Sequence, residues 1–540
     1  MNKIKMGLIL FIPLLFSCKK VLDTAPYSSL TDQSAFTTAS KCALVLNGVY
    51  DAAQGDYYVT GTTENRGYPF GAANIYQSDA RGEDLVNIQA FLQITYQATY
   101  NSSSANCVAM WKGLYELINK ANVAIAGFRT AGSGGVISVP TATQYEAECR
   151  FLRAMAHHEA LLMFAKPYLD GGSGAALGVP WRDFPINNID AVNSILNTPR
   201  MSVAGVYTNV LADLDYAEAN LSTSVAVTGF TGAISFRATK AAAIALKMRI
   251  KLHKGDWAGV IAEGNKIIPT AAITYPINPT GIVSQINNYA LTASPDGPFI
   301  NNNSSENIFS IKNDPVDAPS TNGGLSRLLG SASLGGRGLV SVSPIIYNNA
   351  GWLCDDKRRS LLTVAGTNSA GTQSIFTTKY RDYATYGDYA PQIRYAEVLL
   401  TQAEAEARNA PATVSQRAVD LLNVVRNRSL ATPLTQQYTI ASFATSVDLI
   451  KAILLERRIE LLAEGRRWGD ISRLVNDANY STGGIPAKAL NGTVGLATFN
   501  CGAGYTPGQA AIAYSNYLFL WPIPASEVVA NPIVVQNPGY

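Results

Sequence analysis

Between positions 57 and 96 the chain sets aromatic rings among charged and amide side chains: Tyr57, Tyr58, Arg66, Tyr68, Phe70, Asn74, Tyr76, Asp79, Arg81, Asp84, Phe91 and Tyr96. Ring faces stack against apolar C–H surfaces, and Arg, Asn and Asp supply the donors and acceptors that hydroxyl groups need. A ligand with both kinds of surface would suit this mixture, so Tyr68, Tyr76, Asp79, Arg81 and Phe91 are read as ligand contacts. The bland alternative is that each of them merely packs its loop. Further candidates are the Tyr383, Tyr386 and Tyr389 run and the loop holding Trp181.

Chemistry that makes or breaks bonds has little to work with. The histidines are His157, His158 and His253. His158-Glu159 hints at a zinc-protease helix, but position 162 is Leu, so the required His spacing fails. No GxSxG, Walker-type or GxGxxG-on-strand motif is present. Asp79, Glu83 and Asp84, and likewise Asp355-Asp356, are expected as solvated acidic loops, with calcium ligation as the alternative. No catalytic residue, metal or cofactor is therefore assigned, and the protein is expected not to be an enzyme.

The elements that must carry these loops read as helices. Ala43, Leu46, Tyr50 and Ala53 share a helix face, as do Trp111, Leu114, Tyr115 and Ile118, and Tyr145, Cys149, Leu152, Ala156 and Met163 form a longer stripe. Further helices are expected at about 202–220, 239–253, 257–268, 392–408, 413–428 and 446–464. Polar, Gly- and Asn-rich stretches at about 55–105, 170–200, 270–390 and 475–540 read as long loops with small strands of their own. Helices also come in adjacent pairs. Gly255-Asp256 breaks one helix and Trp257 opens the next, while Ala241, Ala245, Leu246 and Ile250 alternate small and large for close packing; 394–408 followed by 415–428 repeats the scheme. These pairs resemble degenerate tetratricopeptide hairpins, which stack into a rigid scaffold. Glu456, Arg457, Arg458, Glu460, Glu464, Arg466, Arg467 and Asp470 are read as charges spaced along one helix and its end, and Trp468 and Trp521 as core.

The N-terminus has its own logic. Lys3 and Lys5 precede an apolar run from Gly7 to Phe16, too short to cross a bilayer. Leu15-Phe16-Ser17-Cys18 looks like a bacterial lipobox, so residues 1–17 read as a lipoprotein signal peptide and Cys18 as the lipidated residue. Acyl chains on Cys18 would be the sole membrane anchor. Without the signal the chain is close to neutral, which leaves no electrostatic footprint for nucleic acid. The other cysteines are Cys42, Cys107, Cys149, Cys354 and Cys501; the first three fall in helical patterns and are expected as core residues.

Several motifs then occur in one order. Val21-Leu22-Asp23 with Pro26 comes after Cys18; then come Leu46-Asn47-Gly48-Val49-Tyr50-Asp51 and Arg150-Phe151-Leu152-Arg153-Ala154 running to Phe164. Arg394-Tyr395-Ala396-Glu397-Val398-Leu399-Leu400, Glu456 to Asp470, and Trp521-Pro522-Ile523-Pro524 to Gln536-Asn537-Pro538-Gly539-Tyr540 complete the series. Together they resemble the SusD/RagB family of outer-membrane nutrient-binding lipoproteins from end to end. The resemblance implies a mainly α, SusD-like fold with degenerate tetratricopeptide-like helix pairs, built as a single domain over 18–540. It also implies a cell-surface, outer-membrane location, an oligosaccharide ligand, and a SusC-like TonB-dependent barrel as partner. In the family, the loop between the first two helices and a second loop, here about 313–345, form the binding face. The second loop departs from the starch-binding pattern: Asn322 to Ser343 has many glycines and no aromatic, and Arg327 and Arg337 are its charged residues. Those two arginines complete the expected ligand set. The chain can thus be a glycan-binding subunit of such a transporter, a peptide-binding subunit of the same type, or a loop-borne hydrolase. The first is preferred.

Overall fold

The computed structural model describes residues 32–55, 58–59, 62–63, 66–227, 230 and 234–540. The signal segment, Cys18, the 21–26 motif, Tyr57 and the side chain of Phe91 lie outside the described residues.

Helix hairpins make the frame. Ala105–Ser133 and Val139–Phe164 pack along each other, and Val203–Asn220 lies against the second of them. The Cys149, Leu152, Ala156 and Met163 stripe is fully buried. Lys240–Lys254 and Trp257–Gly264 form the next pair, and the break is where local chemistry requires it. Gly255 is left-handed (φ 76°) and donates back to the Leu252 and Lys251 carbonyls, then Asp256 caps the second helix by accepting from the Gly259 N–H. Tyr395–Asn409 and Gln416–Asn427 form another pair, against which Ser446–Glu460 packs. That last helix stops short of the expected end at 464: Ala463 (φ 62°) and Gly465 (φ 73°) turn the chain left-handed before Arg467–Leu474.

Among the described residues, five two-stranded ribbons tie the long connections down. Asn307–Ile311 pairs with Ala390–Arg394, Thr363–Thr367 with Gln373–Thr377, and Leu85–Asn87 with Val340–Val342, all antiparallel. The last ribbon (Leu85 opposite Val342, Asn87 opposite Val340) fastens the two expected binding loops to each other. One hydrophobic cluster runs from Cys42 to Val534, with Trp352, Trp468 and Trp521 among its largest buried side chains.

The 55–105 stretch is not simply a polar loop. It contains the helix Ala72–Ala80, buried on every face. Its polar side chains can be interior because each finds an internal partner: Asn74 donates to the Pro69 carbonyl, Ser78 to Asn74, and Asp79 accepts from Gly465 and Arg467.

The charged motif near 456–470 is likewise tertiary rather than helical. Arg394 is bound by Glu306, Glu460 and Glu464; Arg428 by Glu306 and Glu460; Arg358 by Asp356, Glu456 and Glu460; and Lys379 pairs with Glu464. All of these side chains are almost fully buried. Opposite charges this close offset their desolvation only as a complete set. A disulfide, Cys354–Cys501, staples two loops 147 residues apart, and Cys42, Cys107 and Cys149 are buried thiols, as their helical spacing implies.

Candidate functional site

The residues expected to hold ligand separate into an inner and an outer group. Tyr76 is fully buried and its hydroxyl donates to the Leu92 carbonyl at 3.3 Å. Asp79 is buried, accepting from the Gly465 and Arg467 N–H groups at 3.1 Å each. Burial nevertheless pushes its carboxyl up to about 7. Arg81 lies with its guanidinium carbon 3.4 Å from the Trp468 ring centre and donates to the Phe519 carbonyl. In this structure these three side chains are buried and held by internal partners.

The neighbouring acids are also committed. Glu83 and Asp84 pair with Arg458 and Arg467, and Asp356 pairs with Arg358. The expectation of solvated acidic loops is therefore corrected: Asp79, Glu83, Asp84 and Asp356 are buried. Asp355 accepts from Gln436 at 2.7 Å. Among the described residues no group of three or more His, Cys, Asp or Glu is placed to hold a metal ion. His157 stacks on Trp181 with ring centres 4.0 Å apart, and burial holds the imidazoles of His157 and His158 down near about 3, so both are neutral packing groups.

The outer group does come together. Tyr68, on the approach to Ala72–Ala80, lines a cleft of about 110 Å³ with Arg66, Leu92 and Ile94 on its own segment, and with Asn322 and Leu328 from the second loop. Ala105, Asn106 and Ala109, at the start of Ala105–Ser133, form the back wall. Arg337 donates to Asn322 Oδ1 at 2.8 Å and so holds the cleft's outer edge from behind. Arg327 folds over its own turn, donating to the Gly335 carbonyl, and lies 5.7 Å from the Tyr386 ring centre. Tyr383 packs on Gly330 and Gly335 and Tyr386 on Gly324, so these two tyrosines support the second loop, whereas Tyr389 packs on Phe236 with ring centres 6.0 Å apart.

Two residues that sequence reasoning passed over give the cleft its chemistry. Gln77 donates to the Tyr68 hydroxyl at 3.0 Å, and Asn106 donates to Thr95. Their carboxamide oxygens, Gln77 Oε1 and Asn106 Oδ1, are buried without a partner among the described residues and belong to side chains that line the cleft. A buried acceptor left unpaired costs about 1–3 kcal/mol, which an incoming hydroxyl would recover. The sequence signal was slight: Ala73 and Gln77 stand four apart on one helix face.

The mainly helical frame with its long loops recurs in solved structures. A SusD superfamily protein from Bacteroides fragilis superposes with a TM-score of 0.71 at 24% identity, covering 93% of this chain and 99% of its own. Another from Bacteroides thetaiotaomicron gives 0.69 at 21% identity, covering 93% and 100%. A laminarin-binding SusD-like protein gives 0.62 at 18% identity, covering 93% and 100%. These define the class as SusD-fold proteins. Residues 369–540 match the SusD family model, and residues 20–252 match a model described as starch-binding, associating with outer membrane. SusD-like protein P2 of Formosa agariphila is 25% identical over the whole of both chains. The chain belongs to the SusD/RagB family, a carbohydrate-binding family associated with the outer membrane. No helix among the described residues is long and apolar enough to cross a membrane.

Proposed function

We propose that the protein is a surface lipoprotein, anchored through Cys18, that captures an oligosaccharide and passes it unchanged to a SusC-like TonB-dependent barrel. The observation that carries this reading is the cleft between the two loops, where apolar walls adjoin the Gln77 and Asn106 oxygens, which have no partner among the described residues. Apolar walls suit sugar C–H faces, and lone acceptors suit hydroxyls. In this reading Tyr68 is a wall of the site, and Arg327 and Arg337, which do not line the cleft, frame its second loop. Catalysis has no part in the proposal, because the histidines and the paired carboxylates are spent on packing and ion pairs.

A glycan array probed with the purified protein tests ligand class, and a parallel peptide array tests the alternative. Binding to glycans with no new reducing ends released supports the reading. Binding to peptides alone, or release of reducing ends at a rate set by protein concentration, overturns it. For the anchor, Cys18→Ala is expected to leave the protein soluble in cells lacking the transporter. A mutant that still sediments with the outer membrane would count against lipid anchoring.

A further inference from the structure

A second cleft, of about 280 Å³, opens on the other side of the loop that comes after Asn307–Ile311. Asp317 of that loop lines it, whereas Asn322 of the same loop lines the first cleft. Gln54 and Gly55 stand between the two: Gln54 faces the second cleft, while the Gly55 backbone packs so closely on Tyr68 that an added Cβ would lie 2.2 Å from the Tyr68 carbonyl oxygen.

Three features make this a built site. Phe230 and Phe236 form an aromatic corner, their ring centres 4.8 Å apart at 61°, and Phe230 is 40% exposed. Gln54 is 3% exposed and fixed through its Nε2, which donates to Asn313 Oδ1 at 3.0 Å and to the Asp317 carbonyl at 2.9 Å. Its Oε1 has no partner among the described residues. The carboxylates of Asp51 and Asp317 are close enough that, after burial, the Asp51 charge is the next cause raising the Asp317 pKa.

The charges decide the ligand class. Lys312 Nζ sits 5.4 Å and 5.6 Å from the two phenylalanine ring centres, where a cationic ligand group would need to be. Asp51 and Asp317 in turn repel an anion. Arg237 is neutralised by a two-point pair with Glu148, which also accepts from the Tyr50 hydroxyl at 2.6 Å. With Lys312 paired to Asp314, the aromatic corner lies beside uncharged and anionic acceptors, which fits a neutral polyhydroxylated ring. The volume is near the lower end of the roughly 300–1,000 Å³ usual for small-molecule sites, enough for a short sugar unit rather than a long chain.

We propose that this cleft is a second carbohydrate subsite, in which a neutral sugar ring packs on the exposed Phe230, backed by the buried Phe236, and donates hydroxyls to Gln54 Oε1 and to the Asp51 and Asp317 carboxylates. The inference rests on the glycan-binding reading above. The test is calorimetry on the detergent-solubilised full chain, with laminarin oligosaccharides and starch oligosaccharides as probes. Variants are Gln77→Leu for the first cleft, Phe230→Ala and Asp51→Asn for the second, and the pairwise combinations, each checked for folding by circular dichroism. Phe230 is exposed enough that its replacement spares the core. With Gln77→Leu alone, residual binding is expected to persist; adding Phe230→Ala or Asp51→Asn is expected to weaken it about ten-fold or more. If Gln77→Leu alone removes all binding, or the residual binding ignores both second-cleft variants, the second subsite is overturned while the glycan reading stands. If the unmodified protein binds no glycan, the reading and the subsite fall together.

Discussion

The Arg81 guanidinium lies 3.4 Å from the centre of the Trp468 ring, and that ring is itself fixed by its indole N–H donating to the Leu162 carbonyl at 2.8 Å. Arg81 ends the helix Ala72–Ala80, and Trp468 lies in the first turn of Arg467–Leu474, so one stacked pair joins the segment carrying the first cleft to the C-terminal helices. A cation on an aromatic face contributes up to about 2 kcal/mol when desolvated, and the bond to the Phe519 carbonyl adds to it. Arg81→Ala is therefore expected to cost about 2–4 kcal/mol of stability. Glycan affinity, measured per folded molecule by calorimetry alongside a urea titration, should change by less than about two-fold. A large affinity loss at full folding would return Arg81 to the ligand.

Glu460 accepts from both Arg394 and Arg428, and its second oxygen from Arg358. Removing it leaves three buried cations undercompensated. Glu460→Ala is expected to destabilise by about 3–5 kcal/mol, read as a lower denaturation midpoint at unchanged slope. A loss below about 1 kcal/mol, the range of exposed pairs, would mean the network relaxes around the gap.

Acid stability carries a sign that can be checked. Glu83 is buried, but Arg458 and Arg467 hold its carboxyl down at about 2 against an ordinary value of 4.5. A depressed folded pKa contributes stability that is complete above the unfolded value and is lost as pH falls through the folded one. The decline attributable to Glu83 should thus lie between about pH 4.5 and 2. Denaturation midpoints of Glu83→Gln across that window should be lower than the parent's at neutral pH and converge with them toward pH 2. Parallel curves would assign the acid sensitivity to other carboxylates.

Much of the frame was legible because helix signals are local. Gly255-Asp256 marks a break in any context: glycine tolerates the left-handed turn and aspartate caps the helix that Trp257 opens. The site was less legible, because polarity was read as exposure. Asp79 and Arg81 have the composition of a binding loop, yet their partners, Gly465, Arg467, Trp468 and Phe519, are nearly 400 residues or more away in sequence. Gln77 and Asn106 carry the complementary error: single amides on helices announce nothing until the opposite wall is known. The Cys354–Cys501 pairing, across 147 residues, had no local signal either.

That disulfide makes its own prediction. Cross-linking so long a loop restricts the unfolded chain, and losing such a bond typically costs about 2–5 kcal/mol. Cys354→Ser with Cys501→Ser should lower the midpoint accordingly, and reductant should shift the parent to the same value. If reductant leaves the parent unmoved while the double variant is destabilised, the loss is one of packing rather than of cross-linking.

Gln77 is the sharpest test of the first cleft, because its two ends do different things. Its Nε2 holds the Tyr68 hydroxyl at 3.0 Å, and its Oε1 is buried without a partner among the described residues, on a side chain that lines the cleft. Gln77→Leu removes both and should weaken glycan binding about five- to hundred-fold, the range of one hydrogen bond left unmade at about 1–3 kcal/mol. Tyr68→Phe removes the hydroxyl held by Nε2, leaves the acceptor and the ring wall in place, and should change affinity by less than about three-fold. Gln77→Glu keeps the size and an acceptor but brings a charge into a buried position. Its binding should therefore approach the parent's as pH is lowered and the carboxyl takes up a proton. Calorimetry at two pH values on these three variants separates a ligand contact from a packing residue. If Leu and Glu at 77 both match the parent at either pH, the sugar does not reach Gln77.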